Sequence, residues 1–144
     1  MPEAATLKRA RRDKAQGKSP TTQAGEFVRE EIEHIREGKH GARSTKQAIA
    51  IGLSKARRAG VDLPPSKGSS EETKEQAERD LRKARTGGKK SAKRSRATRK
   101  ALKREGRSAA SKEALSTQAR KAARKRSAAS RSRSAKKAAA TRKK

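Results

Sequence analysis

The 144-residue sequence contains no cysteine, no tryptophan, no tyrosine and a single phenylalanine, Phe27. Without thiols there is no disulfide, no cysteine-ligated zinc and no thiol chemistry. With one aromatic side chain, the chain lacks the platforms on which single-stranded nucleic acid stacks its bases. Long apolar runs are missing too: no stretch approaches the roughly 20 residues of a membrane span. No secretory h-region is found, so an intracellular, cytoplasmic protein is expected. No glycine-rich phosphate loop and no nucleophile–base arrangement occurs, so neither an enzyme nor a bound cofactor is expected. The only histidines, His34 and His40, show no recognised metal-ligand spacing, and no metal site is expected.

Acidic residues are also scarce. The chain has 15 Asp and Glu against 43 Lys and Arg, a formal charge of +28. Such a chain repels itself and seeks a polyanion. Only 28% of residues are apolar, many of them alanine. Low hydrophobicity with high net charge does not offset chain entropy over the whole length, so much of the chain is expected to be disordered alone.

The charge is unevenly placed. Residues 1–24 carry net +4, residues 25–65 net +2, residues 66–86 net +1 and residues 87–144 net +21. This divides the chain into a basic flexible arm (1–24), a helical hairpin head (25–65), a capped amphipathic helix (66–86) and a basic tail (87–144). The fold class is mainly α: a small helical head of two or three helices with a long basic tail that is partly disordered or conditionally helical.

The head carries the best local signals. Gly25–Gly38 places Phe27, Val28, Ile32 and Ile35 on one helical face, with Gly38 as the stop. Ser44-Thr45-Lys46-Gln47 has the form of a capping box opening a second helix to about Ala59. Gly60 ends it, Val61 folds back on the last turn, and Pro64-Pro65 forbids continuation. Ile49, Leu53 and Ala56 would pack on Phe27, Ile32 and Ile35, with Gly52 allowing close approach. Ser69-Ser70-Glu71-Glu72 caps a third helix, supported by Glu75/Arg79 and Glu78/Arg82 pairs and ended by Gly87-Gly88. Ile51 falls roughly 160° from Leu53 around the helix, off the core stripe, and is a candidate patch for a protein partner or self-association.

An internal repeat links head and tail. "REGKHGARSTKQAI" (Arg36–Ile49) returns as "REGRSAASKEAL" (Arg104–Leu115), two residues shorter. A second, weakly cored helix pair is therefore expected around residues 97–126, with Ala119 opposite Leu53. The last stretch, "SAASRSRSAKKAAATRKK", is low in complexity; disorder is expected there, becoming partial helix on phosphate neutralisation.

Lys and Arg spaced by Ala and Ser can track a phosphate backbone and release counterions. The candidate nucleic-acid-binding residues begin with Lys89, Lys90, Lys93, Arg94, Arg96, Arg99 and Lys100. They continue through Lys103, Arg104, Arg107, Arg120, Lys121, Arg124, Lys125 and Arg126, and end with Arg131, Arg133, Lys136 and Lys137. The head adds Arg57 and Arg58. A helix-turn-helix reader is disfavoured, because the Gly38–Arg43 linker exceeds the usual three- to four-residue turn and the second helix offers no Asn for adenine. Duplex DNA bound without sequence preference is the expected partner. RNA or ribosome association, or a protein-binding head tethered by the tail, are the alternatives.

"GEFVREEIEHIREGKHGARSTKQAIAIGLSKARRAG" resembles the central motif of small, highly basic, mostly uncharacterised bacterial proteins described as histone-like, DNA-binding or plasmid-stabilising. "ALKREGRSAASKEALSTQARKAARKR" is similar to their C-terminal block, and the tail is similar in composition to linker-histone tails. The resemblance implies a bacterial, nucleoid-associated protein and supplies no binding residues.

Overall fold

The computed structural model describes residues 1–143, and these are helical almost throughout. Seven α-helices follow in chain order: α1 (Ala4–Ala15), α2 (Pro20–Arg36), α3 (Thr45–Arg58), α4 (Glu71–Thr86), α5 (Ala92–Lys103), α6 (Lys112–Arg124) and α7 (Ala128–Arg142). A 3-10 turn (Ser108–Ala110) lies between α5 and α6.

The expected flexible arm is in fact α1, packed on α2. Its sequence, AATLKRARRDKA, consists largely of strong helix formers and ends at Gly17, whose φ of 69° is the left-handed conformation of a helix stop. Ser19 and Pro20 then start α2 five residues earlier than the expected Gly25. The serine hydroxyl accepts from the Thr22 N–H, and proline occupies the first helical position, where no N–H is needed. Ala10 and Leu7 of α1 join Ala24 and Phe27 of α2, and Ala56, Leu53, Val61 and Leu63, in one apolar cluster.

The close approach of α2 and α3 rests on small residues. Ala48, Gly52 and Ala56, four apart along α3, are all fully or nearly fully buried. A Cβ on Gly52 would stand 2.7 Å from the Val28 Cα, so only glycine admits this separation. This corrects the expected core. Phe27, Ile32 and Ile35 are buried as read, but Ile49 and Leu53 are only half-buried, flanking the small stripe. With the helices this close there is no room for branched side chains on the contact line. Ile51 is likewise half-buried rather than standing free; Met1 is the large apolar side chain left exposed among the described residues.

The α3 stop has the expected form: the Gly60 N–H bonds the Arg57 carbonyl, and the Val61 N–H bonds that of Ala56. At the start of α3 the Gln47 side chain reaches back to the Arg43 N–H at 2.7 Å, one residue before the cap. α4 then packs on α3 through Ala77 and Asp80, both fully buried. The Asp80 carboxylate accepts from Ser54 Oγ at 2.6 Å, Arg58 Nε at 2.8 Å and Gln76 Nε2 at 3.2 Å.

The long disordered tail is the main expectation overturned: residues 92–142 form α5, α6 and α7. Two causes are visible. Ser91, Ser111 and Ser127 each cap a helix, their hydroxyls accepting from the N–H groups of Arg94, Ala114 and Ser130. The turn between α5 and α6 is also not free of the head. Ala109 and Ala110 are buried with Ile32, Ile35, Ala42 and Ala48 in a second apolar cluster, flanked by Val28 and Leu115. The two arms of the repeat meet here. Gly41 N–H donates to the Leu102 carbonyl at 2.9 Å, Ala42 N–H to Gly106 at 3.1 Å, and the buried Thr45 hydroxyl to Ala109 at 2.7 Å. Among the described residues, no helix is long and apolar enough to cross a membrane.

Candidate nucleic-acid interface

The basic residues of the C-terminal half are displayed on helices. Lys89, Lys90, Lys93, Arg94, Arg96, Arg99, Lys100, Lys103 and Arg104 are all exposed, as are Arg120, Lys121, Arg124, Lys125, Arg131, Arg133, Lys136 and Lys137. Helical spacing gathers them. On α5, Arg96, Arg99, Lys100 and Lys103 fall at i, i+3, i+4 and i+7, one face about 10 Å long. On α6, Arg120 and Arg124 are four apart, and on α7 Arg133 is followed by Lys136 and Lys137. α5 and α7 contain no acidic residue, and α6 contains only Glu113. Among the described residues, no Lys or Arg from α5 onward is paired with a carboxylate, whereas the head pairs many of its cations.

Three of the sequence candidates have other engagements. Arg57 is buried, and its Nε donates to the Leu63 carbonyl at 2.8 Å; burial pulls its guanidinium below the usual arginine value, partly offset by the Asp80 charge. It holds the chain after α3 against the helix and is withdrawn from the nucleic-acid set. Arg58 is committed to Asp80. Arg126 folds along α7 onto Ser130 and Ser134. Arg107 remains exposed but lies over Gly38, where a Cβ would meet its Nη1 at 3.3 Å.

Two cationic residues that sequence spacing did not single out, Arg36 and Lys112, converge with Arg107 around a shallow open depression at the start of α6. They are 76 residues apart in the chain and meet because the repeat arms dock; the Arg36 Nε donates to the Ala110 carbonyl at 2.9 Å. Phe27, the one Phe in a chain without Tyr or Trp, is 1% exposed and unavailable for base stacking.

The fold also brings together Glu31, His34 and His40, a grouping invisible in their spacing. Gly38, with φ of 76°, reverses the chain after α2 and returns His40 over the helix.

A family described as a family of unknown function (DUF6496) matches residues 11–67. That span takes in the end of α1, all of α2 and α3 and their connection, and stops short of the basic helices. No curated protein and no solved structure matches the chain.

Proposed function

We propose that the protein binds duplex DNA without sequence preference and compacts it in the manner of a histone-like, nucleoid-associated protein. The observation that carries this reading is the series of exposed, unpaired basic faces on α5, α6 and α7. Fixed cations about one helical turn apart neutralise successive phosphates and release their counterions, a contact that reads charge and no base identity. A buried Phe27 supports duplex over single-stranded targets, because stacking platforms are what single-strand binders use. The less basic α1–α4 unit, net +7 over residues 1–86, is the support on which the α5–α6 arm is docked.

The test is a salt titration of the full chain on labelled duplex DNA, against structured RNA at matched salt. Contact with about ten phosphates gives a slope of log K on log salt near −9. Replacing Arg131, Arg133, Lys136 and Lys137 with Gln leaves the core intact, because α7 has no buried residue. If α7 contacts DNA, that variant's slope is shallower by about 3 to 4. A full-chain slope shallower than about −3 would defeat the phosphate mechanism. A clear preference for RNA would transfer it to an RNA or ribosomal target.

A further inference from the structure

In a chain so rich in cations, the two most buried glutamates are poorly satisfied. The Glu30 and Glu31 side chains are 2% and 1% exposed, and one oxygen of each, Oε1, receives no hydrogen bond. Lys55 Nζ sits 2.5 Å from Glu31 Oε2 and leaves Oε1 free. Buried carboxylate oxygens without a donor are costly, and native structures keep them at strained or catalytic positions or where a water or ion is bound.

Both free oxygens face histidines. His40 Nε2 lies 3.0 Å from Glu31 Oε1, and His34 Nε2 lies 3.9 Å from Glu30 Oε1. The other nitrogen of His40, Nδ1, is 3.0 Å from the Gly41 carbonyl. A carbonyl only accepts, so Nδ1 donates to it, which leaves Nε2 as the ring nitrogen available to a ligand beside the carboxylate. Nε2 and Glu31 Oε1 stand 3.0 Å apart without an aligned hydrogen bond between them, so both remain open to a shared cation. One ring nitrogen of each histidine and a Glu31 oxygen all lie within 4.8 Å of one another. His34 is further held by Glu3 Oε1 at 2.9 Å from Nε2. A carbonyl on one imidazole and a carboxylate on the other is the outer support that metal-binding histidines use.

We propose that Glu31, His34 and His40 form a divalent transition-metal site of the zinc class, closing the corner between α2 and α3. Two imidazoles and one carboxylate suit zinc or cobalt and not calcium or magnesium, which take oxygen ligands. Two buried carboxylates, Glu30 and Glu31, face one closely paired lysine, Lys55, which favours a divalent ion here. The ion would fix the loop that carries the Gly41 and Ala42 bonds to the α5–α6 arm. It would thus join head to tail without touching nucleic acid, and the site stands whether or not the DNA reading does.

The test uses the untagged full chain, stripped with chelator, titrated with Zn2+ in a calorimeter and with Co2+ in an absorption cell. The expected result is about one ion per chain, ligand-field bands from Co2+, and a melting temperature that rises with free Zn2+. Glu31→Gln and His40→Asn should each weaken Zn2+ at least about tenfold. His40→Asn keeps an amide donor for the Gly41 carbonyl, and circular dichroism of each variant confirms that it is folded. Absence of stoichiometric binding would overturn the site. So would Zn2+ binding undiminished in a folded His34→Asn/His40→Asn variant.

Discussion

The helix pair α2–α3 and the pair α5–α6 share an outline and differ in what fills them. Each begins its second helix behind a serine cap after a glycine-containing corner. In the first pair, Ala48, Gly52 and Ala56 let two helices touch, and Phe27, Ile32 and Ile35 are sealed beside them. In the second, Ala114, Gln118 and Ala122 stand at the corresponding positions, and α5 and α6 bury no residue. The first pair is a core and the second is a surface. The second stays ordered because its turn is plugged into the far end of the first, through Ala109 and Ala110. One pair trades charge for packing; the other keeps its charge by borrowing a partner's packing.

That contrast can be broken most forcefully at Gly52. Gly52→Val drives side-chain carbon into the α2 backbone at Val28, and overpacking against backbone should cost about 3 kcal/mol or more in urea unfolding. The matching change Gln118→Val lies at a half-buried site and should cost less than about 1 kcal/mol. Equal losses would mean that close approach is not what separates the pairs.

The seam between the pairs is probed by Thr45→Val. This removes the hydroxyl from the buried Ala109 carbonyl and should cost about 1 to 2 kcal/mol, an orphaned acceptor being dearer than a lost bond. Amide exchange in residues 106–115 should accelerate more than in α2. An unchanged exchange pattern would show that the arm is held by its alanines alone.

The smallest effect is expected at Ser127→Ala, which removes the α7 cap. It should cost α7 about 1 kcal/mol of its own helix stability. Circular dichroism should fall slightly with no shift in the cooperative unfolding midpoint, because α7 contributes nothing to either apolar cluster. A shifted midpoint would place α7 within the cooperative unit.

Much of the local structure was legible because it depends on groups a few residues apart. Gly38 and Gly60 stop helices with positive φ, Ser44 caps α3, and Gly87 ends α4 in the left-handed conformation. α1 was not legible, because Glu3 makes no side-chain cap and only packing on α2 marks it as ordered. The order of the tail was less legible: Ser91, Ser111 and Ser127 are local cap signals, but the docking of Ala109 and Ala110 depends on residues far away in the chain. The interface residues were legible as charge, yet Arg57 and Arg58 could not be distinguished from free cations until Leu63 and Asp80 were seen to hold them.

The amino-acid sequence by itself determined a mainly helical, strongly basic chain with its charge concentrated after residue 86 and the stops and caps of the central helices set. Caps, stops and net charge are short-range or additive properties, and they survive without knowledge of the fold. Only the tertiary structure decided which side of α3 is the core, that the basic arm is docked, and that Glu31, His34 and His40 meet. Those outcomes depend on how closely two backbones approach and on which distant turns fill the same space. Packing settles such matters between residues that are far apart in the chain.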